Sequence, residues 1–169
     1  MAQEIERKYL VLDDAWRSAP AARYRQGYLC RDKARTVRVR TIEDDSGARA
    51  FLTIKGVLVG AARNEFEYEI PQDDARMMLD TLCDGPLIEK DRRKIEYGGL
   101  IWEVDEFLGD NAGLVFAEVE LRQEDQTVAL PPWIGAEVTH LPRYFNANLS
   151  IYPYCQWTEE EKRGIGAQA

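Results

Sequence analysis

Most of the chain alternates apolar and polar residues with a period of two, the repeat of a half-buried strand. Such runs occupy residues 4–12, 25–31, 36–42, 50–55 and 64–70, and then 87–97, 100–107 and 114–122. Turn chemistry separates them: Asp44-Asp45-Ser46-Gly47 predicts a hairpin turn, Gly98-Gly99 joins two strands, and 109–113 is bounded by glycines. The period lengthens over 72–83, where Ala75, Met78, Leu79 and Leu82 fall on one helical face and Asp73 and Asp74 occupy the first turn. Residues 13–22 suit a helical turn running into a loop, and Pro131-Pro132 opens a less regular segment reaching Pro153. Thr158 followed by Glu161 is a capping-box pair and predicts a short terminal helix within about 157–166. With no internal repeat or linker, the expectation over residues 1–169 is one α+β domain, antiparallel and β-rich, with a few helices.

The second face of these strands is unusual. It carries charge at i, i+2 spacing in place of the usual mixture of threonine, serine and glutamine. Glu4, Glu6 and Lys8 share one parity; so do Arg38 and Arg40, and Arg63, Glu65, Glu67 and Glu69. Lys55 closes its strand, Lys90, Arg92 and Lys94 form another row, and Glu103/Asp105 and Glu118/Glu120 complete the set. Pooled, that face holds nine carboxylates and eight bases. A wet sheet surface explains alternating signs, because opposite charges across strands are mildly favourable. It does not explain same-sign doublets, which repel unless an opposite charge lies between them. Carboxylate doublets suit a divalent cation, whereas arginine and lysine doublets suit phosphate or carboxylate. A face supplying both fits a metal-bound polyphosphate.

Composition narrows the alternatives. The 169 residues carry a net charge of −8, from 30 acids against 22 lysines and arginines, which disfavours a general nucleic-acid or anionic-membrane binder. His140 is the only histidine, so His-rich metal sites are excluded, and its setting reads as a loop. Cys30, Cys83 and Cys155 are odd in number and lack C-x-x-C spacing; they read as small hydrophobes in a reducing compartment. Trp16, Trp102, Trp133 and Trp157 read as anchors on the outer sheet face. The first residues, MAQEIERKYL, are too charged for a signal peptide, and no run approaches the ~20 apolar residues of a membrane span. A cytoplasmic protein is expected.

The opening Glu4-Ile5-Glu6-Arg7-Lys8 has the form E-x-E-x-K, and further blocks follow in order. These are Arg38-Val39-Arg40, Phe51-Leu52-Thr53-Ile54-Lys55-Gly56, Arg63-Asn64-Glu65-Phe66-Glu67, Lys90-Asp91-Arg92, Trp102-Glu103-Val104-Asp105 and Ala117-Glu118-Val119-Glu120. Together they resemble the CYTH domain superfamily, also called triphosphate tunnel metalloenzymes, over residues 4–148, and look closest to its inorganic triphosphatase branch.

That resemblance implies eight antiparallel strands closed into a tunnel, with the charged face lining the lumen and helices outside. It implies Mg²⁺ or Mn²⁺ and a small triphosphate substrate. Carried over by position, Glu4, Glu6, Glu118 and Glu120 match metal-binding acids, and Glu65, Glu67 and Asp105, further tunnel acids, join them as candidate metal ligands. Lys8, Arg38, Arg40, Lys55, Lys90 and Arg92 match phosphate-holding bases. Glu4, Glu6, Lys8 and Asp105 are the candidate catalytic group; Tyr28, Arg63, Glu69, Lys94 and Glu103 are weaker candidates near strand ends or behind the first contacts. The expected reaction is metal-dependent hydrolysis of inorganic tripolyphosphate by a monomer or homodimer. An adenylate cyclase, a thiamine triphosphatase and a non-catalytic polyphosphate- or nucleotide-binding module are the alternatives.

Overall fold

The computed structural model describes residues 2–57, 59 and 63–164, with the backbone alone at 2–4. The period-two runs form one antiparallel sheet. Its strands are β1 (Ala2–Glu4), β2 (Glu6–Val11), β3 (Ala21–Asp32), β4 (Arg35–Asp44), β5 (Gly47–Gly56) and β6 (Arg63–Glu69). After helix α1 (Gln72–Thr81) come β7 (Ile88–Tyr97), β8 (Leu100–Phe107), β9 (Val115–Glu120) and β10 (Ile134–Glu137). The order across the sheet is β1-β6-β5-β4-β3-β7-β8-β9-β2-β10. Gly98 and Gly99 both adopt positive φ, +60° and +76°, as the tight turn between β7 and β8 requires.

Two expectations change. The sheet has ten strands rather than eight, and its hydrogen-bonded order is open rather than a closed ring. The expected first strand is divided at Ile5: β1 pairs with β6, whereas β2 pairs with β9. Glu4 therefore lies opposite Arg63 and Glu6 opposite Glu120. Residues two apart span no more than ~7 Å. The strands β6 and β9, far apart in the order, must accordingly approach the same short segment, and the sheet curls. The tenth strand, β10, comes from the segment that looked irregular after Pro132 and pairs with the edge of β2 opposite β9.

The opposite face is covered in two places. Over β4 and β5, Val39 and Ala50 pack on Ala75 and Leu79 of α1. Gly27 permits this approach, since a Cβ there would lie 2.6 Å from Cys83 Sγ. Over β2, β8 and β9, Tyr9, Trp102 and Val119 pack with Trp16 and Trp133. Fully burying each such side chain contributes ~1.5–3 kcal/mol.

The charged face is not charged throughout. Cross-strand pairing puts Phe107 opposite Lys90 and Phe116 opposite Asp105. These aromatics form a core with Ile88, Tyr144, Leu149 and Trp157. The terminal segment, including α2 (Asn146–Leu149) and the approach to α3 (Glu159–Lys162), thus covers one end of that face. Trp157 anchors there, not on the outer face. Thr158 and Glu161 make the reciprocal capping box at the start of α3; residues 165 and 166 of the expected helix lie outside the described residues. No helix among the described residues is long and apolar enough to cross a membrane.

Candidate active site

Strand register decides which side chains can meet. Residues directly opposite on antiparallel strands project from the same face. Lys8 is opposite Glu118, Glu118 opposite Glu103, and Glu103 opposite Lys94. Asp105 is opposite Arg92, Lys90 opposite Tyr24, Gln26 opposite Arg40, and Arg38 opposite Thr53. Thr53 faces Glu67, and Lys55 faces Glu65. The backbone of Glu4 faces Arg63, though its side chain lies outside the described residues. Every predicted site residue whose side chain is described therefore projects from one face of the sheet.

Five charged side chains on this face are buried: Lys8, Lys90, Arg92, Asp105 and Glu118. Arg92 donates from Nε to Asp105 Oδ1 and from Nη2 to Asp105 Oδ2, both at 2.7 Å. The same Nη2 reaches Glu118 Oε2 at 3.2 Å, while Nη1 bonds Glu103. Lys90 Nζ donates to Asp105 Oδ2 at 2.6 Å and lies 3.5 Å from Asn146 Oδ1. Lys8 Nζ bridges Glu118 and Glu6, 3.1 Å from Glu6 Oε1. This pairing is what allows the charges to be buried at all.

Their pKa values follow the local balance of charge. Burial alone would lower the Lys8 ammonium, but Glu118 and Glu6 outweigh it and hold the value above the lysine norm. Lys90 fares differently. Burial pushes it down to about 8, because its partner Asp105 is shared with Arg92, whose charge also opposes its own. Burial would raise the Glu118 and Asp105 carboxyls, yet their cationic neighbours hold both below the carboxylate norm. Both acids are ionised at neutral pH.

A second cluster lies on β4, β5 and β6. Arg40 Nη2 donates to both oxygens of Glu67 at 3.1 and 3.2 Å. Thr53 Oγ1 accepts from Arg38 at 3.2 Å and donates to Glu67 Oε2 at 2.9 Å. Lys55 Nζ pairs with Glu65 at 2.9 Å. Burial, reinforced by Arg38, lowers the pKa of Arg40. The Nε atoms of Arg38 and Arg40 are buried and have no hydrogen-bond partner among the described residues.

The weaker candidates sort by position. Glu103 touches Arg92 and Lys94, and Lys94 is mostly exposed. Glu69 lies exposed opposite Phe51, and His140 is an exposed turn residue. Sequence reasoning passed over three residues. Tyr24 packs beneath three bases, its ring centroid 5.2, 5.5 and 6.0 Å from Arg92, Arg40 and Lys90. Thr53 links Arg38 to Glu67, and Gln26 lies fully buried beside Arg40. A search for charged parity could not find them, since none of the three carries charge. A cleft of about 440 Å³ lined by Tyr24, Arg92, Lys94, Ser46 and Arg49 opens onto this face, at the end away from the aromatic cover.

Two like-charge pairs lie directly across the ladder: Glu6 opposite Glu120 and Glu103 opposite Glu118. Such pairs are destabilising without a cation between them. Lys8 supplies charge to Glu6 and Glu118, and Arg92 to Glu103 and Glu118. All-oxygen donors of this kind suit a hard divalent ion. Among the described residues, no three acids already converge as a metal site.

Interleaved acids and bases thus share one face of a curled antiparallel sheet. The chain belongs to the CYTH domain family, whose profile matches residues 2–148. It is 49% identical over 160 residues to an inorganic triphosphatase of Acetivibrio thermocellus, covering 94% of this chain and all of that one. An inorganic triphosphatase of Nitrosomonas europaea is 34% identical over 154 residues, covering 88% of this chain and 97% of its own. Among solved structures, a crystal structure of an inorganic triphosphatase superimposes with a TM-score of 0.65 and 33% identity, covering 89% of this chain and 96% of that one.

Proposed function

We propose that this chain is a metal-dependent triphosphatase that hydrolyses inorganic tripolyphosphate and releases orthophosphate in the cytoplasm. Its curled sheet would close around the charged face as a tunnel. The observation that carries this reading is the single face shared by Lys8, Arg38, Arg40, Lys55, Lys90 and Arg92. Six bases match the four to five negative charges of a triphosphate. The full-length likeness to two inorganic triphosphatases supports that substrate.

The bases bind the phosphate chain and lower the cost of charge developing on the transferring and leaving oxygens, which is most of what phosphoryl transfer asks of a protein. Asp105 has both oxygens engaged by Arg92 and Lys90, and its pKa is depressed, so it is a weak base. Its part is to align those two cations. Glu67 and Glu65 hold Arg40 and Lys55 in the same manner. Glu4, Glu6, Glu118 and Glu120 would hold Mg²⁺ or Mn²⁺, which would screen the phosphates and lower the pKa of a bound water. Glu4 and Glu6 would then orient that water. No nucleophilic side chain is required.

The test is phosphate release from tripolyphosphate, ATP and thiamine triphosphate, each with Mg²⁺, with Mn²⁺ and with chelator. Metal-dependent release, fastest from tripolyphosphate, is the expected result. Binding of tripolyphosphate without release from any substrate would refute hydrolysis.

A further inference from the structure

Gln26 is fully buried, and neither its Nε2 nor its Oε1 has a hydrogen-bond partner among the described residues. Leaving both ends of a buried amide unpaired is costly, and nothing in the packing requires an amide there. Its cross-strand neighbours are Arg40 on one side and Ile88 on the other. Arg40 and nearby Arg38 each also hold a buried, unpartnered Nε. Three side chains on one face thus keep unspent hydrogen-bonding capacity at one place. Two of them can only donate; Gln26 can donate and accept.

We propose that Gln26 is a substrate-binding residue: its Nε2 donates to a phosphate oxygen held by Arg38 and Arg40, and its Oε1 accepts from a water beside that phosphate. The assignment rests on the triphosphatase reading and deepens it. A phosphate oxygen satisfies the amide donor and the two guanidinium Nε–H groups together. It cannot satisfy Oε1, since two acceptors repel, so the group facing Oε1 must carry hydrogen. Water is the hydrogen-bearing partner that hydrolysis already demands. Exchanging the two ends of the amide leaves the argument intact, because both are unpartnered. No bond is made or broken at Gln26.

The discriminating experiment compares wild type with Gln26→Leu and Gln26→Met in three measurements. These are thermal melting without ligand, calorimetric binding of tripolyphosphate, and steady-state phosphate release. An amide awaiting a ligand predicts that both variants melt at or above the wild-type temperature, since an apolar side chain of similar shape removes an unpaired polar group. It also predicts tripolyphosphate binding and kcat/KM weakened by roughly 10- to 100-fold. Both variants melting well below wild type, or failing to fold, would make Gln26 a structural residue and overturn the proposal. Unchanged binding and turnover in both would overturn it equally. Wild type decides the underlying reading separately: binding without phosphate release sinks the hydrolase and leaves Gln26 judged by binding, whereas no binding sinks both.

Discussion

Arg92 holds Asp105 through two parallel hydrogen bonds of 2.7 Å, and the carboxylate they enclose is wholly buried. Lys90 adds a third bond to the same acid. One carboxylate therefore balances two buried bases, and removing it leaves both cations without their main partner. Breaking a buried pair from one side costs about 3–5 kcal/mol. We expect Asp105→Ala to be destabilised by about that amount, and Arg92→Lys, which keeps the charge but loses the fork, to lower kcat/KM more than it lowers stability. Chemical denaturation and steady-state kinetics on the two proteins check both statements; an Asp105→Ala protein as stable as wild type would contradict them.

The same pairing sets the response to acid. Glu118 and Asp105 have folded pKa values below their unfolded ones, so the unfolded chain binds protons more readily as pH falls. Their stabilisation is complete above the ordinary carboxylate range and is lost as pH drops through it toward the folded values. Denaturation midpoints measured from pH 7 to pH 3 should fall, and Glu118→Gln should flatten the fall. Lys90 has the opposite ionisation and acts at the other end. With a folded pKa of about 8, it makes stability rise with pH between that value and the lysine norm of 10.5, a slope that Lys90→Met should remove.

Arg38 and Arg40 are held more loosely. Their acidic partner, Glu67, is partly exposed, and the guanidinium Nε atoms have no protein partner among the described residues. Partly exposed ion pairs are worth ~0–1 kcal/mol. Alanine at either position is therefore expected to raise KM or cut kcat at least tenfold while moving the melting temperature by only a few degrees. Wild-type kinetics in both variants would remove this row from the phosphate-binding set.

Much of this arrangement was legible in the sequence because a strand has a strict period of two. The parity of Arg38 and Arg40, of Glu118 and Glu120 and of Lys90 and Arg92 fixed which residues share a face before any pairing was known. The open ten-stranded order, found in place of the closed eight-stranded ring that the resemblance implied, was not legible, nor was the division at Ile5, since register between distant strands leaves no local trace. The strand at Ile134–Glu137 was hidden by Pro131 and Pro132, which break the pattern just ahead of it. Phe107 and Phe116 share the parity of the charged rows yet form the aromatic end of that face, so parity alone overstated its polarity. Tyr24, Thr53 and Gln26 escaped notice for the converse reason: they lie among the charged rows without carrying charge.

The division at Ile5 bears on the catalytic assignment. Glu4 pairs through its backbone with Arg63, and Glu6 with Glu120, so these two acids join the flanks of the sheet at the point where its acidic residues gather. Backbone ladders hold that junction, and neutralising the side chains does not remove them. The double variant Glu4→Gln/Glu6→Gln is accordingly expected to fold, with a circular dichroism spectrum like that of wild type. Glu6 also faces Lys8, and a glutamine there relieves the like-charge pair with Glu120, which makes a large stability loss improbable. Metal-dependent phosphate release should nevertheless fall below detection, because the proposed cation then keeps only Glu118 and Glu120. A folded double variant that retains turnover would take Glu4 and Glu6 out of the mechanism and move metal binding elsewhere on the face.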